Sequence, residues 1–456
     1  MGERGVTMEK EFDTLPIRTL VLHLGIPAMA AQFFNILYSI VDRIFIGHMI
    51  NGETAIAGIG VCAPILNSIT AVSSLVGIGG ASILSISMGR HNRKTAQKTI
   101  NTALFLLICF SALLTINLWI FAKPILYFLG CSDTLYPYAG SYFRTYIVGT
   151  AAVLLGLGMN QFILAQGLAK QGMISVVLGA VINTILDPIF IFALDMGIKG
   201  AAIATVIGQI AAMFYVLLML CGEQVEIRLA APKPDIHNAC RILQIGFLPC
   251  LIVLLENILM IVLNVTLRKY GGDTLGKDYI TCATVVQSFM VFIYSPGYGF
   301  TQGCGTLYGY NYGAGNYKRV MQTFQWVLIV CAVYMGAIAL LSQTIPTLFV
   351  RIFLKDEHLI SLASKCIRRY AAGLLGVAVQ YAFVDGLTAM GKIKYAMPLS
   401  LFRRFLYIGA VLIIPGFLPL DTVFWAETIC DIGGAMVTLA MFFVIIKPAL
   451  KAEMGR

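Results

Sequence analysis

The sequence has little charge. Only 12% of its 456 residues are Asp, Glu, Lys or Arg, against roughly a quarter in soluble domains, which argues against an ordinary soluble enzyme. Histidine is scarce as well. His23, His48, His91, His237 and His358 form no H-E-x-x-H or comparable motif, so an integral membrane transferase finds no support. The 11 cysteines include no C-x-x-C pair. Cys62, Cys109 and Cys331 lie in apolar runs and read as small buried residues, not as a disulfide framework or metal site. No G-x-x-x-x-G-K-[ST] loop is present, which leaves ATP-driven transport unsupported. No filter-like loop points to a channel. The first 18 residues hold no short apolar core, so no cleaved signal peptide is expected.

What is abundant is apolar surface. Hydrophobic residues make up 59% of the chain and the mean hydropathy is +0.84, which excludes intrinsic disorder. A spanning helix needs about 20 apolar residues. Twelve apolar segments are legible, at about 18–46, 55–88, 98–121, 139–166, 172–194, 198–221, 242–267, 279–310, 321–345, 367–390, 395–416 and 421–446. The second and eighth are long enough to predict tilt or a bend. The net charge of +10 sits in short clusters between these segments. With no zinc-finger spacing or aromatic–basic motif beside them, these clusters read as topology signals and not as a nucleic-acid surface. Eighteen Lys and Arg fall on the side of the termini and 11 on the other. The expectation is a multi-pass protein of the cell (inner) membrane with both termini cytoplasmic.

The chain reads as a duplication. Pro27 and Asn35-Ile36-Leu37 match Pro249 and Asn257-Ile258-Leu259. Gly89-x-x-Asn92-x-Lys94 matches Gly313-x-x-Asn316-x-Lys318. Arg144-x-Tyr146-x-x-Gly149 matches Arg368-x-Tyr370-x-x-Gly373, and Gly167-x-x-Lys170 matches Gly391-x-x-Lys394. All occur at nearly one shift and at the same place in the helix order. The expected units are an N-terminal lobe at 1–222, a cytoplasmic linker at 223–241 and a C-terminal lobe at 242–456. Six spans per repeat give both lobes the same orientation. The predicted fold is therefore all-α: twelve transmembrane helices as two six-helix lobes related by a pseudo-two-fold axis along the membrane normal. Secondary transporters use this parallel-repeat plan, with their sites near the midplane.

Pro27, the run Val41-Asp42-x-x-Phe45-Ile46-Gly47, the Gly313-Ala314-Gly315-Asn316 loop and the Gly-x-x-Lys exits resemble the multidrug and toxic compound extrusion (MATE) family over nearly the whole chain. The likeness is greatest to its DinF-like, archaeal-type branch. It implies a monomeric V-shaped exporter of small organic cations and other amphipathic compounds. Such an exporter works in the lipid bilayer, with no cofactor beyond a coupling Na⁺ or H⁺.

Acids deep in a membrane are functional candidates, and Asp42, Asp187, Glu256, Asp385, Glu427 and Asp431 qualify. Asn183 and Asp187 share a helix face, and Pro188 frees a carbonyl one turn earlier. Such oxygens suit a small hard cation, and a shielded carboxyl suits a proton equally well. For Asp42 and Asp187 the competing reading is a buried ion pair, for instance with Arg43. The resemblance implies an ion or substrate site at Asp42, Tyr142, Asn183, Asp187 and Thr205, with Na⁺ ligation open to Asp42, Asn183, Asp187 and Thr205. By the repeat, Asp42 corresponds to Asn264, and Asn183 and Asp187 to Tyr407 and Val411, so this site belongs to one lobe only. A second branch of the family implies Glu256 and Asp385 as secondary candidates, with Arg403 or Arg404 as neutralising partners. Gln287, Gln302 and Gln380 read as helix contacts. Pro27 is the expected kink and gating point, with a simple shape requirement as the alternative. A lipid-linked saccharide flippase is the second transport reading. It would carry a more cationic central cavity, and no deep basic cluster lies in the N-terminal half.

Overall fold

A computed structural model describes residues 12–49, 51–231, 233–272 and 275–454. Arg4, Lys10 and Arg456 of the charge count lie outside them. Among the described residues there is no strand. Eleven helices are long and apolar enough to cross a membrane, and a pair bent by 55° makes a twelfth span. In order, the spans are Ile17–Gly47, Gly52–Gly89, Arg93–Ile120, the bent pair Tyr136–Val148 and Thr150–Ala165, Ala169–Ala193, and Gly197–Cys221. The second six are Ile236–Gly271, Leu275–Gly313, Tyr317–Thr344, Glu357–Ala389, Ile393–Phe417 and Leu420–Met454. They are called spans 1 to 12 below.

The repeated motifs turn out to be turn chemistry. Asn92 and Asn316 are the N-caps of spans 3 and 9, accepting the backbone N–H of Thr95 at 3.0 Å and of Arg319 at 3.2 Å. Gly167 and Gly391 adopt φ of +79° and +69°, the left-handed conformation that closes a helix and favours glycine. The Arg-x-Tyr-x-x-Gly motif marks an interruption in both halves. Span 4 bends at Gly149, where an added Cβ would lie 2.7 Å from Val206. Span 10 passes through a 3₁₀ turn at Ala371–Gly373. The bend thus lies in span 4. Spans 2 and 8 are unbroken helices of 38 and 39 residues, longer than a bilayer requires.

The two halves meet at the end that carries the termini. Span 2 packs on span 7 and span 1 on span 8, through glycines. A Cβ on Gly246 would lie 1.6 Å from the Leu75 carbonyl oxygen, and one on Gly79 2.2 Å from that of Ile242. Gly89 and Gly313 meet the carbonyls of Tyr310 and Ile86 at 2.0 and 2.1 Å. In membranes such small residues let backbones approach closely. Residues 12–15 join this seal. The Phe12 ring packs on Tyr310 at 5.1 Å between centroids. The Tyr310 hydroxyl donates to Asp13 at 3.3 Å. Arg319 donates to the backbone oxygens of Phe12 and Leu15. At mid-depth, Asn67 still donates to Asn257 at 3.4 Å.

Span 7 begins at Ile236, inside the expected linker, because Asp235 caps it through the Asn238 N–H. The connection is pinned to the first half. Arg93 pairs with Glu226 at 3.0 Å, Gln97 donates to the Arg228 carbonyl at 2.6 Å, and Lys98 pairs with Asp235 at 3.1 Å. The Asn238 N–H and then the Lys98 ammonium hold the Asp235 carboxyl below the usual carboxylate range. A lowered folded value means that the contact contributes fully above the unfolded value and is lost as pH falls through the folded one. Amide exchange across 228–238, corrected for its intrinsic rate, is therefore expected to accelerate in acid. Asp235→Asn should show the faster exchange already at neutral pH.

Candidate functional site

Spans 5 and 6 are drawn together by Gly179 and Gly208, where a Cβ on Gly208 would lie 2.6 Å from the Gly179 carbonyl oxygen. That approach sets Thr205 against Asn183. The Asn183 amide donates to Asp187 Oδ1 at 3.1 Å and to Thr205 Oγ1 at 3.3 Å. The Thr205 hydroxyl is committed in turn to the Ala201 carbonyl at 3.0 Å. Pro188 follows, and the backbone continues as a π turn at Ile189–Ala193. Such turns relax helical hydrogen bonding and are frequent at functional sites.

Span 1 brings Asp42 to the same place, with its carboxyl in hydrogen-bonding reach of Asp187. Arg43 lies within electrostatic range of Asp42 but forms no ion pair with it among the described residues. Asp187 is wholly buried and Asn183 nearly so. Three oxygens of the group, Asp42 Oδ1, Asn183 Oδ1 and Asp187 Oδ2, are buried without a donor. Buried polar atoms are seldom left so. Two adjacent carboxyls shielded from water repel one another, and burial raises the cost of holding both charged.

Tyr142 of span 4 is buried within electrostatic range of Asp42, its ring stacked on Tyr146 at 6.1 Å. Tyr38, one turn before Asp42, faces both acids. The sequence reading missed it, although its four-residue spacing from Asp42 was the available signal. Below the acids lies a cavity of about 30 Å³, lined among others by Asn35, Tyr38, Asn160, Asn183, Thr205 and Gln209.

The second half divides its acids differently from expectation. Arg404 pairs with Glu256 at 2.6 Å. Asp385 receives neither arginine, and its Oδ2 accepts from Thr301 at 2.6 Å inside a π turn at Tyr381–Asp385. Arg403 reaches Glu427 at 2.6 Å and Asp431 at 2.7 Å. Gln287 bonds Tyr370, and Gln380 bonds Thr438, as helix contacts.

Comparison with known proteins places these features. The MatE family model matches twice, over residues 27–189 and 250–412, one copy for each half. The multidrug export protein MepA of Staphylococcus aureus (strain N315) is 23% identical over 432 residues, covering 93% of this chain and 94% of that protein. A multidrug resistance MATE family transporter of the MOP superfamily, solved in an outward-facing conformation, superimposes with a TM-score of 0.90. It is 20% identical and covers 99% of this chain and 100% of that one. A MOP superfamily transporter from Pyrococcus furiosus gives 0.91 at 19% identity, covering 99% of each.

Proposed function

The chain belongs to the MatE family of membrane transporters, and from there we propose that it is a secondary active exporter of cationic amphipathic compounds in antiport with Na⁺ or H⁺. It is a transporter and not an enzyme. One observation carries the coupling. Asn183 is hydrogen-bonded to Asp187 and Thr205, Asp42 lies against Asp187, and the three residues Asp42, Asn183 and Asp187 hold three buried, donor-free oxygens. A proton or a Na⁺ would offset one of the two carboxylate charges, and an organic cation would compete for the same place. Both termini lie in the cytoplasm of a cell-membrane monomer. Residues 1–222 and 242–456 act as the two rocking lobes, with 236–241 moving with the second as the start of span 7 and the rest of the 223–241 connection, pinned by Arg93, Gln97 and Lys98, travelling with the first. The glycine seal then closes the cytoplasmic side.

Pro27 is well placed to link ion and seal. It follows Leu24, which packs on Gly303 of span 8, and directly precedes Ala28, which packs on Gly299, with the Tyr38–Asp42 turn further along span 1. A bend there would move Asp42 together with the Ala28 and Gln32 contacts on Gly299, so the acid and that part of the seal would shift together. Glu256 and Asp385 remain secondary groups in this scheme. The MepA relatives are multidrug export proteins by name, which agrees with a broad substrate range.

Dye efflux from proteoliposomes under separate Na⁺ and H⁺ gradients tests the reading. Efflux that persists after both gradients are collapsed would overturn it. A finer test targets Thr205. Thr205→Ala removes one hydrogen bond to the Asn183 amide, worth about 1 kcal/mol. It should weaken the ion dependence of efflux by roughly fivefold, with Thr205→Ser close to the parent.

A further inference from the structure

Spans 7, 11 and 12 are the repeat partners of spans 1, 5 and 6. Where the first half has its acid–amide group, the second has a charge network. Arg403 Nε donates to Asp431 Oδ1 at 2.8 Å, and its terminal nitrogen donates to Glu427 Oε1 at 2.6 Å. From span 8, the Tyr294 hydroxyl donates to Glu427 at 3.4 Å. Arg404 lies within electrostatic range of Asp431 and holds Glu256 of span 7, whose side chain is 57% exposed. Cys430 Sγ lies 4.0 Å from Asp431 Oδ1. Span 10 packs on Asp431 through Gly373 and Gly376, while its Tyr370 faces Glu427. Asp431 is wholly buried, and its Oδ2 has no hydrogen-bond partner.

The charges do not balance. Three carboxylates share two guanidiniums, and a surplus charge deep in a membrane protein is costly. We propose that Asp431 is a second proton-carrying site of the transport cycle, with Arg403 and Glu427 as its positioning groups. This rests on the transporter reading above. A metal ion fits poorly, because a hard cation takes several oxygen ligands. Here Asp431 Oδ1 and Glu427 Oε1 are already directed at a guanidinium, and two arginines repel it. A proton needs only one oxygen. Drawn from water, it forms an O–H bond at Asp431 Oδ2 and cancels the surplus charge. On release it returns to water, and Glu256, 57% exposed, is the carboxylate of the network least shielded from solvent.

Two measurements test this. In the infrared spectrum of the purified protein, the C=O band of a protonated carboxyl should titrate. One component should vanish in Asp431→Asn and persist in Asp187→Asn. In vesicles under a gradient of one pH unit, the loss of one coupled proton lowers the limiting accumulation of an organic cation such as ethidium by about tenfold. Asp431→Asn is expected to show that loss, and Asp431→Glu to recover most of it. An unchanged band in Asp431→Asn, or unchanged accumulation, overturns the proposal. Absence of ethidium accumulation by the parent protein would instead defeat the transporter reading, and the infrared band would still decide whether Asp431 holds a proton.

Discussion

Asp187→Asn is expected to abolish gradient-driven efflux while leaving the fold intact. The substitution keeps the size of the side chain and its bond from the Asn183 amide, which needs only an oxygen at the Oδ1 position. It removes one of the two charges that would hold a cation in the proposed site. Asp42 would remain with Asn183, Thr205 and a new amide, so a coupling ion or proton would lose its strongest partner. Coupling free energies of 1–3 kcal/mol correspond to about 5–150-fold. Because the site is buried and the two carboxyls act on one another, the upper end applies, so the efflux rate should fall by roughly 100-fold. Dye efflux from vesicles, with the same amount of inserted protein, measures this. Full gradient-dependent efflux by the variant would remove the first-half site from the mechanism. Asp42→Asn should behave alike, because the two carboxyls face one another.

Gly246→Val should force the seal between the halves open. The nearest carbonyl, Leu75 O, lies 1.6 Å from where a Cβ would sit, and backbone cannot yield as a flexible side chain can. Overpacking a well-fitted contact costs about 1–3 kcal/mol, occasionally more, and 3 kcal/mol changes a two-state population by roughly 150-fold. The arrangement in which the termini-side ends are closed should lose most of its population. Spin labels at Lys94 and Lys318, exposed residues at the starts of spans 3 and 9, would report a longer distance. Gly60→Val is the control, since no atom lies within 4 Å of its added Cβ. An unchanged label distance in Gly246→Val would show that this contact does not hold the closed end together.

Helix existence was legible because span length is set by bilayer thickness, and the sequence carries that length as apolar runs. The duplication was legible because each half needs the same caps and turns. Asn92 and Asn316 recur as N-caps, and Gly167 and Gly391 recur where φ is positive. What escaped was partnership across the fold. Arg403 and Arg404 are adjacent, so on a helix they point roughly 100° apart. One turns to span 12 and the other to span 7. The sequence offered Asp385 and Glu256 to both arginines, and only Arg404 to Glu256 matches the structure. The bend in span 4 escaped for a similar reason. Gly149 bends where Val206 crowds it, and Val206 lies two spans away.

By itself the sequence determined the number of spans, their division into two sixes and which acids lie within the spans. Those depend on local hydrophobicity, on turn residues and on the cost of charge in a membrane, all of which act along the chain. Only the tertiary structure decided which acids stand alone and which are neutralised. That Asp42 reaches Asp187 while Asp431 takes Arg403 follows from helix rotation and glycine-set approach between spans far apart in the chain, and hydrophobic periodicity does not encode either.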